Sequence, residues 1–334
     1  MGSLGALLAA ACIVAASVGP VTIPPAHVAG ILLAPTGLEF GSHTRTEELV
    51  VEQIRLPRIA VAALVGTALS LAGATMQALF RNPLADPGVI GVSAGGAAGA
   101  VLSIALGLHG LFFLALPLFA FLGSMGAALL VYGIALVGGR FSMASLLLAG
   151  IAVGSFMGAI VSSVLVVVPR NESLREILFW LAGGLDSRSW EHVRLAAPLI
   201  LPAIVIIALF SRELNLLTVG DDQARSLGTN VGKLRPMLLA AASLITGVAV
   251  AISGTIAFVG LVVPHAVRLV FGPDHRVLIP VSAVAGALFL VVADTLARTV
   301  MQPAELRVGI LTSFVGAPFF VFLLIRNKRR ATAL

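Results

Sequence analysis

The chain has 334 residues, of which 59% are hydrophobic and only 11% are charged. A soluble domain carries about 25% charged residues, so this sequence lacks the polar shell that a water-soluble core of this size needs, and membrane lipid is its solvent. The net charge of +6 does not indicate nucleic-acid binding, because the basic residues are scattered between apolar runs and form no continuous stripe.

Ten apolar runs bounded by charges, glycine or proline are candidate membrane spans. Lipid admits only helices and closed barrels, and these runs are too long and too continuously apolar for barrel strands. The predicted fold is therefore an all-α, polytopic transmembrane helix bundle of about ten spans, in one domain covering 1–334. The spans lie near 4–23, 58–80, 88–107, 112–137, 143–168, 192–210, 237–255, 256–271, 277–300 and 308–326.

The first run, 4–23, has no basic leader and continues into Pro24 and Pro25. These features favour a retained first span over a signal peptide. Cys12 lies in this run and is the only cysteine, so we expect neither an internal disulfide nor a cysteine metal cluster.

The region 237–271 contains 35 apolar-dominated positions interrupted by Gly254, Gly260 and Pro264. A single helix of this length would measure about 52 Å, well beyond the roughly 30 Å hydrocarbon core. Two complete spans would need about 40 residues. We therefore expect one full helix followed by a short or broken one.

The distribution of Lys and Arg predicts the orientation. An even number of spans puts both termini on one side, and the basic residues Arg326, Lys328, Arg329 and Arg330 favour the cytoplasm for that side. The cytoplasmic segments then hold 12 basic residues, the other side holds nine, and ten of the 15 acidic residues fall on that other side. We expect a multi-pass protein of the bacterial inner membrane with cytoplasmic termini.

Small residues recur at four-residue spacing in two rows. Such rows let helix backbones approach closely in lipid, so they indicate a compact bundle without specifying a function. Segments 68–92 and 248–274 also look distantly alike and would enter the membrane from opposite sides, as inverted repeats of transporters do. The two rows are Gly91, Gly95 and Gly99, and Gly150, Gly154 and Gly158.

No catalytic or metal-binding constellation emerges. Gly228 and Gly232-Lys233-Leu234 resemble a phosphate loop but have three residues between the glycines, and Leu follows the Lys, whereas a Walker A loop has four residues and then Ser or Thr. If ATP powers this protein, another subunit binds it. The six histidines are dispersed, which favours structural or interfacial roles, and we expect no metal and no cofactor on this chain.

Four charged residues near the ends of predicted spans are better candidates for functional residues than the histidines. Asp294 and Arg298 lie four residues apart on one predicted helix face, and ionisable residues at such depth are functional or paired. Arg55 and Arg58 flank Pro57 at the start of the second span, where ordinary interfacial anchoring is the alternative.

The largest cytoplasmic insertion is 212–236. Within it, 221–227 is predicted to form a short amphipathic helix that ends at Gly228, with acidic residues near its start. A solvated linker is one interpretation, and a docking helix for a cytoplasmic partner is the other.

From about residue 50 to 326 the sequence resembles the permease subunits of type II ABC importers, the class that carries cobalamin, haem and iron–siderophores. Many motifs in order over nearly the whole chain make this resemblance specific. The motifs are Arg55-Leu-Pro-Arg58, Gly73-Ala-Thr-Met-Gln77, Asn82-Pro-Leu-Ala-Asp-Pro-Gly88, Gly260-Leu-Val-Val-Pro-His265, Gly272-Pro-Asp-His-Arg276, Ala293-Asp-Thr-Leu-Ala-Arg298 and Pro303-Ala-Glu-Leu306.

The resemblance implies a homodimer of ten-helix subunits with the substrate path on the dimer axis. Two cytoplasmic ATPase subunits, which bind ATP and magnesium, and one periplasmic binding protein complete such an importer. In the family, arginines matching Arg55, Arg58 and Arg298 face the periplasm and meet carboxylates of the binding protein.

The resemblance also implies a coupling loop that docks on the ATPases and a cytoplasmic gate between the fourth and fifth spans. The gate positions match Ser142, Met143 and Ala144, with Met143 and Ala144 standing where some relatives have small hydroxyl residues. The coupling positions are Leu217, Gly220, Asp221, Asp222, Ala224, Arg225, Leu227 and Gly228.

The sequences of Phe80-Arg81-Asn82, 272–276 and 297–300 most resemble those of haem permeases. Ferric-siderophore and cobalamin permeases are the alternatives.

Two other classes of membrane protein are alternatives to a permease subunit. A polytopic enzyme would require clustered intramembrane Asp, Glu, His or Ser. A secondary transporter would place several ionisable residues in mid-span. Because the sequence offers neither pattern, the expected function is transport by a non-enzymatic permease subunit.

Overall fold

The computed structural model describes residues 2–34, 43–137, 142–168, 172–302 and 304–331. Over these ranges the chain consists of α-helices joined by turns and short extended stretches, so the predicted all-α class is confirmed. The helices are α1 Gly2–Ser17, α2 Pro25–Leu33, α3 Arg45–Leu49, α4 Leu56–Leu79, α5 Val92–Ala105, α6 Ala115–Ala135, α7 Met143–Val167, α8 Glu172–Leu181, α9 Trp190–Leu209, α10 Ser211–Val219, α11 Asp221–Ser226, α12 Val231–Ser253, α13 Val259–Phe271, α14 His275–Thr299 and α15 Val308–Ala331.

Three long helices form the centre of the bundle. In the most apolar part of each helix, 78% of the residues are buried in α4 and α12 and 56% in α14, against 28% in α6 and α9 and 11% in α7. α4 packs against α9, α12, α13 and α14. The peripheral helices expose large aliphatic side chains, as helices that face lipid do.

Six described helices are long and apolar enough to cross a membrane: Arg45–Leu79 (α3, a π-helical turn at Val50–Arg55, and α4), α6, α7, α9, α12 and α14. Four shorter apolar helices coincide with the other predicted spans: α1, α5, α13 and Val308–Phe322 of α15. The 13 residues of α13 span only about 20 Å. Among the described residues, ten apolar helices therefore coincide with the ten predicted spans, and six of them have full span length.

Several helices differ from the predicted spans by a few residues, and the differences at α1 and α13 have identifiable causes. Helix α1 ends at Ser17 and not at 23, because Pro20 and Pro24 interrupt the helix and the N–H of Ile23 turns back to the carbonyl of Ser17, at 2.9 Å. Helix α13 begins at Val259 and not at 256, because the chain leaves α12 through Gly254 at φ +67° and 254–257 is not helical. The expected full helix followed by a short one is confirmed.

Three helices of nine or ten residues were missed. Helices α2, α8 and α10 lie in segments that the sequence assigned to connections, because each has too few apolar residues for a span. The predicted loop 212–236 is also wrong in extent: α10 occupies its start and α12 begins at Val231. The predicted short helix at 221–227 is present as α11.

Glycines bring α4 into backbone contact with α13 and α14. A Cβ on Gly73 would lie 1.8 Å from the carbonyl oxygen of Gly260, and a Cβ on Gly66 would lie 2.2 Å from that of Gly286. The amide of Gln77 donates to the Gly260 carbonyl at 3.3 Å. Side chains larger than hydrogen at these glycines would force the helices apart.

The two predicted glycine rows behave differently. Gly95 and Gly99 pack α5 against Gly123 and the backbone of α6, as the row predicts. Gly91 ends the preceding turn at φ +76°, and Gly150 contacts the carbonyl of Val89. Within the described residues nothing lies within 4 Å of a Cβ on the remaining two glycines, Gly154 and Gly158 of α7.

We predict that Gly73→Ala destabilises the fold by about 1–3 kcal/mol, the usual effect of overpacking a close contact. The matched control is Gly126→Ala in α6, where a Cβ meets no atom within 4 Å and the lost backbone freedom of the unfolded chain is favourable. Thermal unfolding in detergent micelles measures both variants. Equal melting temperatures for the two variants would contradict the packing assigned to Gly73.

Candidate functional site

Charged side chains gather at opposite ends of the bundle. The arginine end comprises Arg55, Arg58, Asp294, Arg298 and Glu305, at the start of α4 and the end of α14. The α11 end comprises Arg81, Asp221 and Arg235, beyond the end of α4 and at the start of α12. Because α4 has 24 residues, these ends are about 36 Å apart.

At the arginine end, two arginines cap the C-terminus of α1. The last four carbonyls of a helix have no partner within it, and basic groups there also interact favourably with the helix dipole. Arg298 donates to the carbonyls of Ala15, at 3.0 Å, and Val18, at 3.3 Å. Arg55 donates to the carbonyls of Ala16 and Val21. Both guanidinium groups therefore hold α1 against α4 and α14.

The third arginine of this end forms the ion pairs. Arg58 donates to both carboxylate oxygens of Asp294, at 2.9 and 3.0 Å, and to Glu305 at 3.0 Å. Arg298 approaches Asp294 at 3.4 Å, so the predicted i,i+4 pair is present. Three cations against two carboxylates leave this end with one net positive charge.

The predicted docking residues differ in accessibility. Arg55 and Arg298 are only 4% and 5% exposed, whereas the pair of Arg58 and Glu305 reaches the surface through Glu305, whose side chain is 39% exposed. The sequence could not indicate this burial, because it depends on the end of α1 folding over two residues that are distant in sequence. Their role in docking stays a prediction.

At the α11 end, Asp221 bridges two core helices. Its Oδ1 accepts from Arg81, just after α4, and from Arg235 of α12, at 2.6 Å. Arg81 also donates to the carbonyl of Leu217 at 2.8 Å. Helix α11 is therefore fixed to α4 and α12 through one carboxylate.

A second bridge joins α10 to α14. Asn215 donates to Asp274 at 2.6 Å, and its carbonyl oxygen accepts the backbone N–H of His275 at 2.9 Å. The pKa of Asp274 lies below its ordinary value because the carboxylate accepts hydrogen bonds from the backbone N–H of Arg276 and from the amide of Asn215.

Three residues of these bridges, Asn215, Arg81 and Arg235, were not among the predicted site residues. The only sequence signal for Arg81 was an isolated charge directly after a long apolar helix.

The eight predicted coupling residues divide into two faces. Leu217, Gly220 and Ala224 are buried and anchor the segment to the bundle. Asp222, which follows the bridging residue Asp221, has a side chain that is 94% exposed. The exposed members are Asp222, Arg225, Leu227 and Gly228. One face is thus available to a partner while the other contacts the core.

The predicted gate residues lie at the start of α7. Ser142 is the N-cap residue of this helix, and Met143 and Ala144 form its first turn. Because α7 is the least buried candidate span, these residues border the outside of one chain. Their assignment as a gate stays a prediction.

We predict that Arg298→Met destabilises the fold by roughly 2–3 kcal/mol, because charged hydrogen bonds to the α1 carbonyls are lost and the carbonyls stay buried. Arg45→Met is the control, since the Arg45 side chain is 73% exposed. Thermal unfolding and limited proteolysis at 18–24 report the effect. If Arg298→Met unfolds and is cleaved like the control, the capping role is wrong.

Comparisons with known proteins identify the family. Residues 7–326 match the FecCD transport family. The chain is 44% identical over 333 residues to the ABC transporter permease protein YvrB of Bacillus subtilis, covering 98% of this chain and 93% of the relative. It is 43% identical over 280 residues to the hemin transport system permease protein HmuU of Yersinia pestis, covering 83% of each. It is 40% identical over 360 residues to the cobalamin import system permease protein BtuC of Halobacterium salinarum, covering 98% and 96%.

A solved structure has the same fold. A metal-chelate type ABC transporter in an inward-facing conformation superposes with a TM-score of 0.85 at 30% identity, covering 97% of this chain and 98% of that one. The matches extend over nearly the full length, so they apply to the whole described bundle. The chain belongs to the FecCD transport family and is a multi-pass permease subunit of a type II ABC importer, with ATP hydrolysis carried out by a separate subunit.

Proposed function

We propose that the chain translocates haem across the bacterial inner membrane as one half of a homodimer. A periplasmic binding protein delivers the substrate, and two cytoplasmic ATPase subunits drive its passage. The arginine end faces the periplasm, and the α11 end and both termini face the cytoplasm. The main support is the two-faced α10–α11 segment, whose inner face is bridged to α4, α12 and α14 while its outer face is free.

The outer face of α11 is the proposed contact with the ATPase. A partner that moves Asp222, Arg225 and Leu227 also moves Asp221, because a helix of six residues has no room to bend between them. Asp221 passes this displacement to α4 and α12 through Arg81 and Arg235. The substrate path then opens by a rigid-body change between two states, with the gate formed where residues 142–144 of the two copies meet.

The arginine end is the proposed contact with the binding protein. Arg58 and Glu305 lie nearest the surface and would contact the partner directly. The buried Arg55 and Arg298 fix α1 at the same end. The net positive charge of this end suits an acidic partner. Charges at the rim of such a contact set the encounter rate and orientation more than the affinity.

Haem is the proposed substrate because the motif sequences at 80–82, 272–276 and 297–300 most resemble those of haem permeases. The relative named for hemin transport and the one named for cobalamin import are similarly related to this chain, at 43% and 40% identity. Ferric siderophore and cobalamin are therefore the alternatives that the experiment must separate.

Uptake of labelled haem, a ferric siderophore and cobalamin is measured in cells with and without this gene, after redundant importers are deleted. We expect haem uptake to depend on the gene and the other two to be unaffected. Loss of cobalamin or siderophore uptake instead would reassign the substrate within the family. Unchanged uptake of all three would contradict the import function.

We predict that Asp221→Asn lowers the rate of substrate uptake about tenfold, the effect of losing roughly 1.5 kcal/mol of charged hydrogen bonding. The neutral amide leaves Arg81 and Arg235 facing each other without a counter-charge. ATP hydrolysis by the assembled importer should persist, so transport and hydrolysis separate.

The matched control is Glu191→Gln, which removes one negative charge from an exposed position at the start of α9, outside the α11 end. If the two variants transport at the same rate, the bridge through Asp221 does not carry the coupling.

A further inference from the structure

A polar cavity of about 390 Å³ opens at the arginine end of the bundle. It lies between α8, the turn that follows α8, and the chain just before α15. Its walls include three guanidinium groups and two aromatic side chains, which is unusual in a protein with only 11% charged residues. The residues that matter for its chemistry are Arg175, Phe179, Trp180, Arg188, Ser253 and Arg307.

The cavity borders the interruption between α12 and α13. The N–H of Gly184 donates to the carbonyl of Ser253, the last residue of α12, at 2.8 Å, and the N–H of Gly309 donates to the carbonyl of Gly183 at 3.2 Å. These backbone bonds hold the turn after α8 against the end of α12 and the start of α15. Discontinuous helices of this kind line the substrate sites of transporters.

Arg188 is a half-buried cation whose hydrogen bonds are incomplete. Its Nε is inaccessible to solvent and has no hydrogen-bond partner among the described residues. Its Nη1 lies 3.3 Å from Nε2 of His192, whose Nδ1 faces the backbone N–H of Ser189 at 3.2 Å. A neutral imidazole accepts at only one of its nitrogens, so His192 cannot accept from both donors. Burial accordingly lowers the pKa of the Arg188 guanidinium.

The remaining charges of the cavity leave a second cation available. Arg307 is paired with Asp186, and Glu176 lies 3.5 Å from His109. Arg175 forms no ion pair within the described residues. The charged lining residues are thus three arginines, Arg175, Arg188 and Arg307, and three carboxylates, Glu172, Glu176 and Asp186, so the cavity carries no net charge. Arg188 likewise forms no ion pair within the described residues, so Arg175 and Arg188 are the two cations that can bind a carboxylate.

An aromatic surface lies beside these cations. The guanidinium carbons of Arg175 and Arg307 lie 5.1 and 4.4 Å from the ring centre of Phe179, within the range of cation–π attraction. Trp180 lines the cavity next to this ring. A flat apolar ligand with a carboxylate would satisfy both features, since a carboxylate accepts two parallel bonds from a guanidinium.

We propose that this cavity is an outer subsite of the transport path, in which Arg188 and Arg175 bind a carboxylate of the substrate while Phe179 contacts its flat body. The inference rests on the proposed haem transport, because haem carries two propionate carboxylates on a planar ring. The site selects carboxylate-bearing substrates over corrinoids whose side chains end in uncharged amides. The volume falls within the roughly 300–1,000 Å³ of small-molecule pockets.

The test compares haem with its dimethyl ester, which has the same ring and lacks both negative charges. Each is titrated into the full-length protein in lipid nanodiscs, and quenching of the two tryptophans reports binding, since Trp180 lines the cavity. We expect haem to bind about tenfold more tightly than the ester, the difference that one charged hydrogen-bond pair supplies. Equal affinities would overturn the proposal.

The variant Arg188→Gln should abolish the preference for the acid over the ester. Arg175→Gln, at an exposed position, should reduce it and provides the measurement if Arg188→Gln does not fold. The control is Arg194→Gln, an exposed arginine outside this cavity on the adjacent helix α9. A preference that survives both cavity substitutions, or that disappears in the control as well, would contradict the site.

The cellular uptake experiment separates this inference from the proposed function. Gene-dependent haem uptake without any preference for the acid in vitro would remove the subsite and leave haem import standing. A clear preference in vitro, lost in Arg188→Gln, together with no haem uptake in cells would keep the carboxylate site and refute haem as the transported substrate.

Discussion

Backbone contact between α4 and its neighbours α13 and α14 is the constraint on which the rest of the bundle depends. Lipid offers no hydrophobic force that would press helices together, so association in the membrane relies on close packing and hydrogen bonds. Gly66 and Gly73 provide the close packing. Thr67 and Ser70 add bonds to carbonyls of α14, at 3.0 and 2.9 Å. Helix α4 is therefore the central helix of the bundle, and it connects the arginine end, through Arg58, with the α11 end, through Arg81.

Helices α4 and α14 are also joined near both of their ends, which makes them one mechanical unit. At the arginine end the join is direct, through Arg58 and Asp294. At the α11 end it runs through α10, with Arg81 bonded to the carbonyl of Leu217 and Asn215 bonded to Asp274. A displacement of α10 and α11 consequently acts on two central helices together, and these helices carry it to the arginine end.

The sequence predicted the features that depend on local composition and missed those that depend on distant contacts. The break after α12 was predictable because 35 apolar positions exceed one span and fall short of two. The burial of Arg55 and Arg298 was not, because it requires the carbonyls of α1, which are remote in sequence. Helices α8 and α10 were missed because amphipathic helices of about ten residues resemble polar connections. The predicted coupling residues came from the resemblance to a family and stay a prediction. The structure added Arg81 and Arg235, which explain how that segment is held.

The two segments predicted to be inverted repeats, 68–92 and 248–274, contain the ends of α4 and α12. Helices α4 and α12 run in opposite directions, since Arg58 lies in the first turn of α4 at the arginine end and Arg235 lies near the start of α12 at the α11 end. Each helix stops at a break, so one break lies at each end of the bundle. The break after α4 presents Arg81 to α11, and the break after α12 forms a wall of the arginine-lined cavity. An interrupted helix leaves polar groups that only protein or ligand can satisfy in a membrane, so each break requires a partner. Helix α11 is that partner after α4, and the proposed subsite assigns the substrate to the break after α12.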